Sequence, residues 1–283
     1  MTATEHPRIQ ALKGVVSEND RYYFGYQYGL GAEHLVPYFK SKGVQFAGKN
    51  ICEIGCGEGG VLAAMADDAP YPTQTPGGPR KILGIDIRQE AIDRAEIIFD
   101  ALGINSEFHI HDVTNQETPP EWREQFDFVT LRDVMEHLHE TERSLQHVMD
   151  FLRPGGYLYV VFPPYYSPFG GHQHLLRTVW GKLPYVQALP DVLFQPVAKS
   201  GQLEIDIEEV TRLRDIRLTI GKFRSAARQA GLELVDEQLY LLRPVFKLKF
   251  GLPAIKMNVL RHVPLLREIA VLEAGYLLRK PDR

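Results

Sequence analysis

Three glycines at a regular spacing are the first residues of this chain that indicate a ligand. They form Gly55-x-Gly57-x-x-Gly60, directly after the apolar run Asn50–Ile54 and at the start of the helix-like run Gly59–Ala66. Glycine in such a turn permits tight geometry and lets a ligand approach the backbone, because no Cβ is in the way. The pattern alone fits several nucleotide-like ligands, or a tight turn without any ligand.

Three carboxylates separate the possible ligands. Glu53 lies in the strand two residues before Gly55, where it can serve a cation, and S-adenosylmethionine carries an ammonium and a sulfonium. Asp86 ends a second strand and can accept both ribose hydroxyls, as it also would for NAD. Asp112 follows a third strand, near the expected adenine amino group. Because a pyrophosphate gains nothing from Glu53, the set favours S-adenosylmethionine, with an NAD-dependent oxidoreductase as the alternative.

Acidic and histidine side chains follow the next two strands. Asp133, Glu136 and His137 come after the fourth strand, and carboxylates with imidazole suit a divalent metal. The alternative is a loop–helix junction with only local bonds, which we favour over a metal. His172 and His174 follow the fifth strand. Histidine takes up a proton near neutral pH, so we expect one of these two to deprotonate a hydroxyl acceptor, with His137 as a third catalytic candidate.

Aromatic side chains are expected around the acceptor. Tyr165 and Tyr166 follow the fifth strand, and Tyr28 lies in the aromatic-rich, helix-like run Asp20–Lys42. We expect these three tyrosines to line the acceptor pocket and the N-terminal aromatic residues to cover the cofactor. The alternative in each case is packing in the core.

Alternating strand-like and helix-like runs must position these side chains. Between Lys49 and Phe162 five apolar strands alternate with amphipathic helices, which predicts a parallel sheet with helices on both faces. Ligands of such sheets bind at the carboxyl ends of the strands. The predicted strands are Asn50–Ile54, Lys81–Asp86, Glu107–Ile110, Phe126–Leu131 and Tyr157–Phe162, and the helices are Gly59–Ala66, Gln89–Leu102 and Glu140–Leu152.

Four segments follow from this pattern. They are an N-terminal helical cover (1–48), a cofactor-binding core (49–162), a Pro-, Gly- and aromatic-rich insertion or cap on the substrate side (163–208) and the C-terminal part of the core (209–283). The last part is predicted to contain the helix Thr219–Ala230, the strand Leu232–Leu241, the connection Pro244–Val263 and the final strand Ile269–Leu278.

The motifs together resemble those of class I S-adenosylmethionine-dependent methyltransferases, particularly the ubiquinone-type and other small-molecule enzymes. The matching segments are Glu53–Gly57, Asp86, Asp112, Phe126–His137 and Leu152–Gly156. The resemblance implies a Rossmann-like, doubly wound α/β sheet of seven strands, mostly parallel, with an antiparallel last strand. The cofactor-binding residues that it implies are Glu53, Gly55, Cys56, Gly57, Asp86, Ile87, Asp112, Val113 and Arg132. One departure is the long link Pro70–Pro79 before the second strand.

Composition bounds the function further. A chain of 283 residues suits one large domain, and its net charge of -4 indicates no nucleic-acid partner. Cys52 and Cys56 are expected to be free thiols, which fits a cytoplasmic location, and no run approaches the ~18 apolar residues of a membrane span. The alternating apolar and basic residues of 245–261 leave weak peripheral membrane contact open, although an ordinary amphipathic connection is preferred.

These features lead to one expected activity. We expect methyl transfer from S-adenosylmethionine to a small-molecule acceptor, with lipids and sugars included, and O-methylation by a histidine base. A non-catalytic S-adenosylmethionine-binding regulatory module is the second alternative. The sequence indicates no oligomeric state.

Overall fold

A computed structural model describes residues 6–68 and 81–282. The long link Pro70–Pro79 lies outside the described residues. The strands are β1 (Ile51–Ile54), β2 (Ile82–Asp86), β3 (Glu107–Ile110), β4 (Phe126–Arg132), β5 (Leu152–Phe162), β6 (Glu233–Leu242), β7 (Ile255–Lys256) and β8 (Glu273–Arg279). The α-helices are α1 (Pro7–Ala11), α2 (Glu18–Leu30), α3 (Val36–Ser41), α4 (Gly60–Asp68), α5 (Gln89–Leu102), α6 (Thr141–Phe151), α7 (Asp191–Lys199), α8 (Glu204–Ile216), α9 (Ile220–Gln229), α10 (Val245–Phe250) and α11 (Pro264–Ala270).

One sheet holds all eight described strands, in the order β3-β2-β1-β4-β5-β8-β6-β7. The first five strands are mutually parallel where they pair, and β8 runs antiparallel to both β5 and β6. The predicted Rossmann-like α/β fold with an antiparallel last strand is therefore confirmed. The predicted number of seven strands is one too few, because the two-residue β7 adds an antiparallel pair at the outer edge of β6.

The last strand begins later than the sequence indicated. The predicted span Ile269–Leu278 includes the end of α11, and β8 starts only at Glu273. Pro264 occupies the first turn of α11, where a missing N–H costs nothing. The Glu268 carboxylate of α11 accepts hydrogen bonds from the backbone of Ile220 and Gly221, so this helix caps the start of α9. The apolar run that predicts a strand from Ile269 therefore begins inside a short helix that starts at a proline.

Side chains of alternating direction give the sheet a core on each face. In β5, Tyr159 and Val161 pack with the N-terminal helices, α4 and α5. Leu158 and Val160 pack instead with α6 and α9. This is the period of two expected of a strand that is buried on both faces. Full burial of a side chain such as Phe24 of α2 stabilises the fold by about 2 kcal/mol.

The insertion after β5 forms a small lobe with its own core. Short 3₁₀ turns precede α7 and α8, and a third apolar cluster joins them. Arg214 of α8 donates to the carbonyls of Gln187 and Leu189 and to Asp191, which ties α8 to the preceding chain. The lobe extends to Ile216, so the predicted boundary at residue 208 falls inside α8.

Both cysteines are buried free thiols, as the sequence predicted. Among the described residues, no helix combines the length and the apolar composition needed to cross a bilayer.

Candidate active site

A cavity of about 640 Å³ opens at the carboxyl ends of β1 to β4. Eight of the nine predicted cofactor-binding residues line it, namely Glu53, Gly55, Gly57, Asp86, Ile87, Asp112, Val113 and Arg132. The ninth, Cys56, does not line it. The Cys56 thiol is buried, and its backbone N–H donates to the Ile85 carbonyl at 3.0 Å, so this residue fastens the loop to β2.

The glycines of the loop have two separate physical roles. Gly55 and Gly57 have φ values of 70° and 53°, and a Cβ on Gly55 would lie 2.3 Å from a methyl group of Val134. Gly60 instead begins α4, where a Cβ would lie 2.8 Å from the Phe24 carbonyl of α2. Gly59, outside the sequence pattern, also has a positive φ of 76°. The first two glycines therefore shape the cavity, whereas Gly60 lets α2 pack against the loop.

Glu53 is a buried carboxyl group that suits a cationic ligand. The backbone N–H of Leu62 in α4 donates to it at 3.1 Å. Burial raises the pKa of Glu53 to about 8, although Arg132 and this hydrogen bond oppose the shift. A positive charge brought into contact would favour the ionised carboxylate and offset its desolvation. The ammonium group of S-adenosylmethionine has this charge, so the residue fits the expected ligand.

Asp86 and Asp112 hold the two loops that form the adjoining cavity wall. Asp86 accepts from the backbone of Gly57 at 3.1 Å and from that of Arg88 at 3.0 Å. Asp112 accepts from the Thr114 backbone at 2.8 Å and from the Asn115 side chain at 2.7 Å. Desolvation would raise the pKa of Asp112, but these hydrogen bonds outweigh it and the pKa is lowered.

Several residues lining this cavity were not predicted from the sequence. His111 is buried, and its Nε2 has no hydrogen-bond partner in the described part of the chain. Tyr26 and Gln27 of α2 line the cavity, and Arg132 donates to Gln27 at 3.2 Å. The aromatic-rich run did indicate that α2 covers the site, but the facing tyrosine is Tyr26.

None of the three tyrosines expected to line the acceptor pocket faces a cavity described here. Tyr28 is buried on the opposite side of α2 and donates to Asp67 at 2.7 Å. Tyr165 is buried in the insertion lobe and donates to the Gln187 carbonyl at 3.0 Å. Tyr166 packs edge-to-face on Tyr165. Their phenol rings belong to packing contacts, which was the alternative interpretation of the sequence.

A second cavity of about 420 Å³ adjoins the first. The two share Tyr26, Gln27, Arg132, Asp133 and His172 as lining residues. The remaining lining residues are mostly apolar or basic. They come from the insertion, from α10 and the residue two positions before it, and from the residue before β8, namely Pro163, Ser167, Phe169, His174, Arg243, Val245, Phe246, Lys249, Phe250 and Leu272. An apolar compartment with cationic side chains thus lies next to the first cavity.

Asp133 is held by arginine. Its φ is 52°, and its carboxylate lies 2.5 Å from the Arg243 guanidinium, which also donates to Glu273 at 2.7 Å. Desolvation would raise the pKa of Asp133, but Arg243 and Arg132 outweigh it and lower the pKa. The Asp133 carboxylate is therefore held in an ion pair with Arg243.

Glu136 is the least satisfied acid in the site. It is buried, and neither of its carboxyl oxygens has a hydrogen-bond partner among the described residues. Burial raises its pKa to about 8. Glu136 Oε1 lies 3.7 Å from His137 Nε2 and 3.9 Å from His172 Nε2. The potential ligand atoms of these three residues lie within 4.8 Å of one another. The candidate metal ligands are therefore Glu136, His137 and His172, whereas the sequence suggested Asp133 in place of His172.

The three candidate histidines differ in basicity. His137 Nδ1 lies 2.6 Å from a carboxylate oxygen of Glu209 in α8. Burial would lower the pKa of His137, but Glu209 and Glu136 outweigh it and the pKa is raised. Burial, helped by His137 and His174, lowers the pKa of His172 to about 3. Burial also lowers the pKa of His174, which lines only the second cavity.

Comparison with known proteins identifies the family. Residues 26–197, more than half of the chain, match the family model described as a methyltransferase domain. The chain belongs to this family. It is a class I S-adenosylmethionine-dependent methyltransferase by fold and motifs, and S-adenosylmethionine is its cofactor. These matches do not favour an NAD-dependent oxidoreductase.

Curated relatives match part of the chain. Ubiquinone biosynthesis O-methyltransferase of Pseudomonas fluorescens is 28% identical over 116 residues, which are 41% of this chain and 45% of the relative. The same-named protein of Aeromonas salmonicida is 28% identical over 113 residues, covering 40% and 42%. The chain thus spans less than half the length of these relatives.

Solved structures share the fold at low sequence identity. A putative sarcosine dimethylglycine methyltransferase from Galdieria sulphuraria has a TM-score of 0.55 at 15% identity and covers 89% of this chain and 85% of its own. Geranyl diphosphate C-methyltransferase from Streptomyces coelicolor, in complex with Mg²⁺, geranyl diphosphate and S-adenosyl-L-homocysteine, has a TM-score of 0.56 at 9% identity, covering 88% and 79%. At these identities the likeness concerns the fold alone.

Proposed function

We propose that the protein transfers the methyl group of S-adenosylmethionine to a hydroxyl oxygen of a small amphipathic molecule held in the second cavity. The observation that carries this proposal is the junction of the two cavities. Arg132, Asp133, His172 and Tyr26 line both cavities, and His137 with its Glu209 partner lies beside that junction. A donor in one cavity and an acceptor in the other would meet there.

The cofactor supplies an electrophilic methyl group, and the protein supplies binding and orientation. Glu53 would hold the ammonium group, Asp86 the ribose hydroxyls, and the wall at Asp112 and Val113 the adenine. Tyr26 and Gln27 of α2 would cover the methionine end and limit access of water. Holding two reactants in contact can account for most of the catalysis in such a transfer.

His137 is the base that the geometry favours most. A hydroxyl acceptor must lose its proton during transfer, and a base works best when its pKa lies near the working pH. Glu209 lies at His137 Nδ1 and leaves Nε2 on the side of Glu136 and His172. His172 remains a candidate by position, although a pKa of about 3 makes it a weak proton acceptor. His174 borders only the acceptor cavity, which suits substrate contact.

The acceptor atom can be tested directly. The protein would be incubated with S-adenosylmethionine labelled with ¹³C and ³H in its methyl group and with a lipid-containing metabolite extract. We expect tritium in an organic-soluble product whose methyl carbon has the chemical shift of an O-methyl group. Label on nitrogen or carbon would overturn O-methylation. Binding of S-adenosylhomocysteine with no transfer into any extract would instead support the regulatory module.

Single variants then test the base with the identified acceptor. His137→Ala should lower kcat by roughly a hundredfold or more, since general bases contribute about 10²–10⁴. His174→Ala should chiefly raise KM. If His172→Ala alone lowers kcat while His137→Ala does not, the base is His172.

A bound divalent cation is the second mechanism, and the cluster of Glu136, His137 and His172 supports it. These residues would hold the ion, which could lower the pKa of an acceptor hydroxyl. Elemental analysis of the purified protein and dialysis against a chelator distinguish the two mechanisms. A tightly bound metal whose removal abolishes transfer favours the cation, whereas full activity after chelation favours the histidine base.

A further inference from the structure

One segment beside the acceptor cavity differs in charge from the rest of the chain. Residues 245–267, called here the basic segment, contain five Lys or Arg residues and no Asp or Glu, although the whole chain has a net charge of -4. The segment comprises α10, β7, a 3₁₀ turn and the start of α11. It therefore concentrates positive charge at the outer edge of the sheet, where β7 is the last strand.

The basic segment also exposes large apolar side chains. The exposed fraction is 75% for Leu265, 65% for Phe250 and 64% for Val259. The other exposed members are Leu252, Ile255, Val263 and Leu266. A single exposed apolar side chain needs no explanation, but seven within 17 consecutive residues indicate an interaction surface.

Most cationic side chains of the basic segment lack a carboxylate partner in the described part of the chain. Lys249, Lys256 and Arg261 have no carboxylate within ion-pair distance among the residues the structure describes. Lys247 lies 3.5 Å from Glu33 in an exposed pair, and Arg267 pairs with the neighbouring Glu268. Surfaces that enter the headgroup region of a bilayer combine lysine and arginine with exposed apolar side chains, as this segment does.

We propose that the basic segment docks the protein on a bilayer surface rich in anionic phospholipid. Lys247, Lys256 and Arg261 would contact lipid phosphates, and side chains such as Leu265 and Val259 would enter the apolar boundary. A second copy of this chain is a poorer occupant, because two faces without acidic residues repel each other. An anionic lipid surface has the complementary charge.

Docking would bring the acceptor cavity to the membrane. Phe246, Lys249 and Phe250 belong to the basic segment and also line the second cavity. An amphipathic acceptor could then pass from the lipid to the site without crossing water. This consequence rests on the proposed function, whereas membrane docking itself does not.

Vesicle sedimentation tests the proposal without any acceptor. We expect the protein to bind vesicles of equimolar phosphatidylglycerol and phosphatidylcholine, to bind pure phosphatidylcholine far less, and to be released by salt. The triple variant Lys247→Gln, Lys256→Gln, Arg261→Gln should weaken binding by about a hundredfold, at roughly tenfold or less per charge. The variant Val259→Ser, Leu265→Ser should also weaken it. None of these five residues lines a described cavity near the site.

Matched controls have the same substitutions elsewhere on the surface. The control triple variant is Lys13→Gln, Arg143→Gln, Lys199→Gln, and the control double variant is Ile97→Ser, Val192→Ser. Both change exposed residues outside the basic segment. They should bind anionic vesicles as the unaltered protein does. S-adenosylhomocysteine binding by calorimetry verifies that every variant is folded.

Three outcomes would overturn the proposal. One is equal binding to both kinds of vesicle, and another is an equal loss of binding in the control variants. The third is that the unaltered protein does not bind vesicles but forms a dimer, as measured by light scattering, and that the triple variant is monomeric. In that case the basic segment contacts a second copy. Methyl transfer is measured separately, so its failure would leave the docking result intact.

Discussion

At the scale of single residues, the proposed contact between Glu53 and the cofactor predicts that cofactor binding depends on pH. Its carboxyl pKa is raised to about 8 by burial, from an ordinary value of 4.5. Between these values the folded protein keeps a proton that the unfolded chain releases, so the ligand-free protein loses stability as pH rises. A bound ammonium group favours the ionised form and removes this loss.

The thermal shift given by S-adenosylhomocysteine should therefore grow as pH rises from about 6 to about 8. Glu53→Gln should flatten this dependence and weaken binding by about 30-fold, which corresponds to a lost charged hydrogen bond of about 2 kcal/mol. Calorimetric titration and thermal unfolding across this range measure both effects. A Gln variant with unchanged affinity and an unchanged pH profile would show that Glu53 does not contact the cation.

Glu209 gives a second residue-scale prediction, on catalysis. Its negative charge at His137 Nδ1 helps to raise the pKa of that histidine. Glu209→Gln should lower the His137 pKa, so the acid limb of kcat against pH should move to lower pH. The weaker base should also lower kcat by about tenfold or more. Glu208→Gln, an exposed neighbour in α8, is the control and should leave the profile in place. An unmoved acid limb in Glu209→Gln would argue against His137 as the base.

At the scale of secondary-structure elements, helix phase decides which tyrosine reaches the site. Successive residues of a helix are 100° apart, so Tyr26 and Tyr28 of α2 point about 200° apart. Tyr26 lines both cavities, whereas Tyr28 is buried against Asp67. Tyr26→Ala should weaken S-adenosylhomocysteine binding, and it should also cost some stability because Tyr26 packs partly buried against the core. Tyr28→Phe should cost about 1 kcal/mol of unfolding free energy and leave binding unchanged. Calorimetry and urea unfolding separate the two, and reversed effects would contradict this orientation of α2.

Two glycines make a matched test of the contact between α2 and α4. A Cβ on Gly60 would lie 2.8 Å from backbone atoms of α2, whereas one on Gly221 of α9 would have no neighbour closer than 3.6 Å. Gly60→Ala should therefore lower the free energy of unfolding by about 1–3 kcal/mol through overpacking. Gly221→Ala should be neutral or stabilising, since alanine favours helix. Equal effects of Gly60→Ala and Gly221→Ala in urea unfolding would mean that α2 does not pack closely against Gly60.

The sequence predicted elements better than it predicted their partners. The bounds of α5 and β3 agree with the structure residue for residue, because Gln89–Leu102 has a helical apolar stripe and Glu107–Ile110 follows a glycine stop. The start of β8 was missed because Pro264 begins a helix inside an apolar run. Apolar periodicity gives the type of an element, but it does not show which of two tyrosines in α2 faces a site built from other elements.

At the scale of the whole molecule, segments that are far apart in the sequence meet over the site. Lys249 of α10 lies over the ring of Tyr26 in α2, 4.1 Å from its centroid. Arg243, after β6, reaches Asp133 after β4. These pairs are separated by more than 100 residues, so no local pattern could predict them. The sequence motifs pointed to the residues of the first cavity, which we propose to hold the cofactor, whereas the second cavity, proposed for the acceptor, depends on such long-range contacts.

Arg243 forms ion pairs that connect three strands of this assembly. Its guanidinium pairs with Asp133 at 2.5 Å and with Glu273 at 2.7 Å, joining the ends of β4 and β6 to the start of β8. Arg243→Met would leave both carboxylates without this partner, and Glu273 is buried with a pKa already raised by burial. We expect a loss of about 3 kcal/mol in unfolding free energy at neutral pH.

This loss should depend on pH with a definite sign. Without Arg243 the folded-state pKa of Glu273 rises further above its unfolded value, so the folded form is favoured as pH falls and Glu273 takes up a proton. Urea unfolding of Arg243→Met should therefore show a smaller loss at about pH 5 than at neutral pH. Arg279→Met removes an exposed pair with Asp282 and should cost less than about 1 kcal/mol at either pH. A pH-independent loss in Arg243→Met would mean that packing of the arginine stem, and not its charge, joins the three strands.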